Sequence, residues 1–197
     1  VLACLFLLEI EATFCEEDYH VVNNACVVCP SGQSNLAGDD PSGQDTSCDK
    51  CKITSNSDLK WYVGAWIIPH ANHWCGEVIG DWEVGRVTDM SYVFCASTIR
   101  SECKTSRRNF NANLSNWNTA SVKNLEGTFS NLELFTGDGV SNWNTRSVTT
   151  LHAAFLGTNS FSGESLSNWD TSRVTTMEQT FQLSSSFTGD ALSNWDT

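Results

Sequence analysis

Leu114-Ser-Asn-Trp117-Asn-Thr119, Val140-Ser-Asn-Trp143-Asn-Thr145, Leu166-Ser-Asn-Trp169-Asp-Thr171 and Leu192-Ser-Asn-Trp195-Asp-Thr197 are versions of one phrase, each 26 residues after the last. Other apolar positions keep step with the tryptophans. Five residues on stand Val122, Val148 and Val174; eight on, Leu125, Leu151 and Met177; twelve on, Phe129, Phe155 and Phe181; eighteen on, Phe135, Phe161 and Phe187. An earlier copy opens at Trp82, with Ile79, Val87, Met90 and Phe94 in register, but carries nine extra residues before Trp117. A fixed period of this length marks a repeat architecture, and 26 falls in the leucine-rich-repeat range. One such unit has too few apolar anchors to offset the entropy of ordering it, so the copies must bury their sides against each other.

The pattern inside a unit predicts strand, turn, short helix and loop. In the copy that holds Trp169 the segment from Gly163 to Asn168 reads as a short strand with Leu166 inward, pairing in parallel with its neighbours. Asn168, with Asn116, Asn142 and Asn194, stands where the chain must turn, and predicts an asparagine ladder. Val174, Met177 and Phe181 fall at i, i+3, i+7, which predicts a helix capped by Thr171 or Ser172. The expected fold class is therefore α/β: a right-handed, leucine-rich-repeat-like solenoid of short parallel strands and short helices, preceded by a small disulfide-rich module.

Composition narrows the class. The 197 residues carry 23 acids against 11 Lys and Arg, a net charge of −12. That disfavours nucleic acid and anionic membrane as partners. Eight tryptophans is a high number, but Trp82, Trp117, Trp143, Trp169 and Trp195 belong to the repeat, and their periodic apolar company makes them core rather than a sugar-stacking platform. All nine cysteines lie at or before Cys103, so they belong to the front of the chain.

Residues 1–14 read as the tail of a secretory signal peptide, too short an apolar run to span a bilayer and broken by Glu9 and Glu11. No membrane insertion is expected of the rest. With Thr197 stopping just after a new phrase, the sequence reads as a piece of a longer protein. Residues 15–54 form a cysteine-rich module, with Cys15, Cys26-x-x-Cys29 and Cys48-x-x-Cys51. Two CxxC pairs also suit a zinc ribbon, but the secretory start favours disulfides. A segment this poor in aliphatics needs staples of one kind or the other. Cys75, Cys95 and Cys103 complete the disulfide candidates, and Cys95 with Cys103 is the preferred pair because they bracket the nine-residue insertion.

Residues 55–75 read as a capping helix and connector. Leu59, Tyr62, Val63, Trp66 and Ile67 share one helical face, Ser57 is placed to N-cap it, and Pro69 to stop it. Residues 76–197 are the repeat region. The words Leu166-Ser-Asn-Trp169-Asp-Thr-Ser-Arg-Val-Thr-Thr-Met177 and Trp82-Glu-Val-Gly-Arg-Val-Thr-Asp-Met-Ser-Tyr-Val-Phe94 resemble the BspA-type leucine-rich-repeat surface proteins from about Asp58 to Thr197. Cys26-Val-Val-Cys-Pro-Ser-Gly-Gln33 and Thr46-Ser-Cys-Asp-Lys-Cys51 resemble, more loosely, the extracellular cysteine-rich modules of ephrin-receptor and TNF-receptor type. The first resemblance implies a secreted or cell-surface protein used in adhesion or protein binding.

No catalytic constellation is visible, and the chain is not expected to be an enzyme or to hold a cofactor. His20, His70, His73 and His152 are scattered, and no phosphate loop or metalloprotease helix occurs. His70 and His73 lack further ligands and read as connector, with no metal site assigned. Asp138, Glu164 and Asp190 recur five residues before each tryptophan; such a file suits calcium or, more simply, a solvated edge. The threonine file Thr119, Thr145, Thr171, Thr197 suits helix capping, with an ice-binding face as a minor alternative. Arg100, Lys104, Arg107 and Arg108 make the insertion the one basic spot, a ligand contact or a solvated loop. Expected contacts to an extracellular protein or matrix ligand lie at Ser115, Ser141, Ser167 and Ser193. Asn113-Leu-Ser115 is a glycosylation sequon. The alternative function is a structural spacer of a cell wall or coat; an enzymatic reading would need a domain beyond Thr197.

Overall fold

A computed structural model describes residues 19–28, 33–34, 42, 44, 49–50, 53–67, 75 and 78–195. At the front, β1 (Tyr19–Val22) and β2 (Ala25–Val28) form an antiparallel hairpin with Tyr19 opposite Val28. Its two-residue turn is Asn23-Asn24, both at positive φ, as a tight primed turn demands. β3 (Gln33–Ser34) and β4 (Asp49–Lys50) pair antiparallel in a second small sheet.

The single α-helix among the described residues, α1, spans Asn56–Ile67. Its cap is Ser55, not Ser57. The Asp58 backbone N–H donates to Ser55 Oγ at 3.1 Å, and the Ser55 N–H donates to Asp58 Oδ2 at 3.1 Å. This reciprocal box needs the acid three residues after the serine, a spacing Ser57 lacks. Leu59 and Val63 are buried, and Tyr62, Trp66 and Ile67 pack against the same core. Pro69 lies outside the described residues.

Beyond α1 the expected leucine-rich-repeat-like α/β solenoid is not what forms. Among the described residues the repeats contain neither strands nor α-helices. The segment read as a strand is a 3-10 turn in every copy: Ile79–Asp81, Asp138–Val140, Glu164–Leu166 and Asp190–Asn194, with the second copy's Leu114 making the same i+3 bond to Trp117. The segment read as a helix is a run of consecutive turns. Val93, Thr128, Ala154 and Thr180 donate to the carbonyls three residues back, and Tyr92, Gly127, Ala153 and Gln179 lie at positive φ. A left-handed residue there ends any α-helical ladder. The 3-then-4 apolar spacing that suggested a helix is produced equally by successive turns. Parallel pairing survives only as single-residue bridges, Asp89 to Asn124 to Thr150 to Thr176.

What joins the copies is an alternating hydrogen-bond file. Met90, Tyr92, Phe94 and Ala96 donate their N–H groups to the carbonyls of Asn124, Glu126, Thr128 and Ser130 in the next copy. Leu125, Gly127, Phe129 and Asn131 do the same to Thr150, His152, Ala154 and Leu156, and Leu151, Ala153, Phe155 and Gly157 to Thr176, Glu178, Thr180 and Gln182. One flanking file runs the other way: Lys123 donates to Thr88, Thr149 to Lys123, Thr175 to Thr149.

Aromatic rings fill the interior. Trp82, Trp117, Trp143, Trp169 and Trp195 stack at successive centroid distances of 6.5, 6.2, 6.3 and 6.4 Å. Phe94, Phe129, Phe155 and Phe181 stack at 5.4, 5.5 and 5.8 Å. These are offset arrangements that favour ring faces over a direct sandwich. Four of these five indoles also make a polar bond: Nε1 of Trp117, Trp143, Trp169 and Trp195 donates to the carbonyl of Ile79, Leu114, Val140 and Leu166 respectively, in the preceding copy, at 2.7 to 3.2 Å. The first, Trp82, is buried against Tyr62 of α1, and its Nε1 finds no partner among the described residues.

Two smaller expectations are also corrected. Thr119 and Thr145 cap no helix; each is buried and donates its hydroxyl to the carbonyl of Asn144 or Asp170 in the next copy. Asn116, Asn142, Asn168 and Asn194 are exposed, and among the described residues no hydrogen bond links one to the next as a ladder along the turn would; the Asn116 amide donates to Asp81 instead. The turn-forming amides are Asn118 and Asn144, whose Oδ1 atoms accept from the N–H two residues on.

Candidate functional site

Three exposed features remain once the core is assigned. The first is the edge made by the 3-10 turns, which pack side by side. Ser167 and Ser193 are exposed there, while Ser115 and Ser141 are half-buried. The Ser115 N–H donates to Asn113 Oδ1 at 2.9 Å, and the Ser141 hydroxyl donates to the Asp138 carbonyl at 3.4 Å. Asn113 itself is exposed, as a glycan acceptor must be. Asp138, Glu164 and Asp190 lie exposed on the same edge. Among the described residues no three His, Cys, Asp or Glu side chains come close enough to hold a metal ion. Hydroxyl, amide and carboxylate repeat along this edge and offer hydrogen bonds. None of these serines has a base as hydrogen-bond partner among the described residues, so they are not arranged for nucleophilic attack.

The second feature is the edge of Lys123, Thr149 and Thr175, all exposed. The Thr149 hydroxyl donates to the Lys123 carbonyl at 3.1 Å and Thr175 to Thr149 at 3.0 Å, so these hydroxyls are committed between copies. Nearby, the Asp170 carboxylate is held below the usual carboxylate range by hydrogen bonds from Ser172 and then by the Arg146 charge.

The third is the insertion of the first copy. Cys95 and Cys103 are joined, S–S 2.01 Å. Cys26 and Cys75 are also in disulfides, which removes Cys26 as a zinc thiolate. Cys15, Cys29, Cys48 and Cys51, like residues 1–14, lie outside the described residues. The four basic residues of this loop separate. Arg100, Lys104 and Arg108 are exposed, but Arg107 is only 3% exposed. Its Nη2 donates to the Lys60 carbonyl of α1 at 3.1 Å and its Nη1 to the Glu102 carbonyl at 3.5 Å. Gly64 faces the guanidinium, whose Nη2 lies 3.5 Å from where a Cβ would stand. Burial pulls the Arg107 pKa below the ordinary guanidinium value. Arg107 is thus a bolt between insertion and cap helix, not part of a solvated loop. The Arg100 guanidinium stacks 4.8 Å above the Tyr92 ring, and Tyr92 donates its hydroxyl to Glu126. Burial and that bond push the Tyr92 phenol up to about 12. Arg108 pairs with Glu133 at 3.2 Å.

Ile99, at the tip, is 93% exposed, and Trp61 on the outer side of α1 is 56% exposed. Neither was singled out in the sequence. Trp61 could have been, because it falls off the apolar face of its helix; Ile99 lies in an aperiodic loop and gives no such sign.

No described helix is long and apolar enough to cross a membrane. No curated protein and no solved structure matches the chain. A family model does match, over residues 70–139 and again over 99–197. The match agrees, at the level of the family, with the resemblance to BspA-type surface proteins; it extends neither to a leucine-rich repeat nor to the cysteine-rich module. Aromatic files at a 26-residue period are what the matched region consists of, and the chain belongs to the family described as Mycoplasma protein of unknown function, DUF285.

Proposed function

We propose that the chain is a non-catalytic, secreted or cell-surface protein that binds a protein or matrix partner in adhesion. The observation that carries this reading is the contrast between interior and rim. Each copy commits core aromatic residues to a shared interior and leaves polar side chains at the same place on its rim; Ser167, Glu164 and Asn168 are exposed in the copy of Trp169, while Ser141 and Asp138 of the copy before are hydrogen-bonded within the rim. A rigid scaffold with repeated exposed polar groups loses little entropy on binding. The disulfides support an oxidising compartment, and the family resemblance supports the cell surface. A spacer of a cell wall or coat would share the core but need no selective rim.

The test is capture from a cell-surface extract, comparing the chain with a variant carrying Ser115→Arg, Ser141→Arg, Ser167→Arg and Ser193→Arg. The binding reading expects a discrete protein or matrix component retained by the first and lost from the second. Retention of nothing selective by either chain would favour the spacer.

A further inference from the structure

The insertion of the first copy is where the chain departs from its own period. After Ala96 makes its bond to Ser130, the chain leaves the stack, and it returns when the Lys104 N–H reaches the Cys95 carbonyl at 3.1 Å. The disulfide closes the excursion, and Arg107 bolts its base to α1. Between this loop and the rims of the second and third copies lies a hollow of about 390 Å³. Its apolar lining includes Ala96 and Leu156, with Ile99 at its rim; its charged lining is Arg100 and Arg108, with no carboxylate.

We propose that this hollow is a docking site for an acidic segment of a partner protein, with a carboxylate held by Arg100 and Arg108 and an adjacent apolar side chain against Ile99 and Leu156. The proposal rests on the binding reading above and places one contact of it. Three observations select the occupant. On a chain of net charge −12, two guanidiniums line one hollow without an acid among its lining residues, although Glu133 pairs Arg108 from outside and Glu102 is exposed nearby. Planar guanidiniums match carboxylates bidentately. Arg100 is already positioned by its stack on Tyr92, itself fixed by Glu126, so little side-chain freedom remains to be lost. Finally, Ile99 stands 93% exposed beside the cations. A free inorganic anion would use the guanidiniums and leave Ile99 in water, whereas an acid followed by an apolar residue uses both.

The experiment pans a displayed random heptapeptide library on the whole, disulfide-bonded chain and measures recovered peptides by fluorescence anisotropy. The expected peptides carry Asp or Glu beside Leu, Ile or Phe. Their Kd should rise about tenfold or more on the variant Arg100→Glu with Arg108→Glu, rise several-fold on Ile99→Ser, and rise with salt. The control pair Arg86→Glu with Arg173→Glu, equal in charge change, should leave Kd unaltered. Peptides without acid enrichment, equal binding by the double variant, or equal loss in the control pair would overturn the site. So would sodium sulfate displacing the peptide with Ile99→Ser having no effect, since the hollow would then hold only anions. Peptide binding here with nothing captured from the surface extract would sink the adhesion reading alone; capture unaffected by the Arg100 and Arg108 changes would sink this site alone.

Discussion

Asn56 places its side-chain amide 3.0 Å from the carbonyl oxygen of Ser91, and 3.1 Å from that of Asp89. In every later copy the equivalent carbonyls accept N–H groups from the copy before. The first copy has no such neighbour, and the opening residue of α1 stands in for it. The Lys104 N–H does the same for Cys95. Asn56→Ala should therefore cost about 1–3 kcal/mol, because it strips partly buried acceptors of their donor. Urea denaturation of the two proteins measures it; an unchanged midpoint would mean water replaces the amide without loss.

The tryptophan file contains its own control. Trp143 donates to the Leu114 carbonyl at 3.2 Å, while Trp82 has no acceptor among the described residues. Replacing an indole by phenylalanine removes volume at both sites but a hydrogen bond at only one. Trp143→Phe should be more destabilising than Trp82→Phe by about 1–2 kcal/mol. Equal losses in thermal unfolding would show that ring stacking alone sets the stability of the file.

Glycine 163 sits at φ +91°, and a Cβ there would lie 2.4 Å from Phe187 Cε2. Gly189 has a similar φ, +77°, but its nearest atom to a Cβ is 3.7 Å away. Gly189→Ala should cost about 1–2 kcal/mol from the left-handed backbone alone. Gly163→Ala should cost distinctly more, because Phe187 must also give way. Chemical denaturation of the pair separates conformational strain from steric overlap; the reverse order would contradict the packing of each phenylalanine on the preceding glycine.

Tyr92 supplies a pH test. Burial first, then its bond to Glu126, raises the phenol from its ordinary 10.0 to about 12. A raised phenol pKa means the folded state favours the neutral form. The stability this adds is whole below pH 10 and is lost as pH climbs from 10 through about 12. The absorbance difference between the wild type and Tyr92→Phe near 295 nm should titrate close to pH 12. A midpoint near 10 would show the ring to be solvated.

How far the sequence could be read follows from which signals are shared by more than one backbone. The tryptophan and phenylalanine files were legible because burial repeats at 26 residues whatever the local conformation. The pairing of Cys95 with Cys103 was legible because they bracket an insertion. The cap helix α1 was legible from its one apolar face, but the secondary structure of the repeats was not. Val174, Met177 and Phe181 satisfy a helix and a run of turns alike, and the deciding feature is positive φ at residues such as Ala153 and Gln179, whose types do not announce it. Arg107 was misread for a related reason. An arginine in a basic loop is ordinarily solvated, and only the approach of Lys60 and Gly64 from α1 makes it interior. Of the surface residues, the period brings the four serines to one edge, though on turns rather than strands and with Ser115 and Ser141 half-buried, and the hollow beside Ile99 needed the loop's path.

The alternating file has a direction. Earlier copies offer donors and later copies bring acceptors, with the acceptor side of the first already occupied by Asn56 and Lys104. A chain emerging from the ribosome thus completes its foundation before its second storey exists, and every new storey meets a finished template of complementary sense. The flanking file and the tryptophan Nε1 groups donate in the opposite sense, so each storey is held to the one before by bonds of both directions.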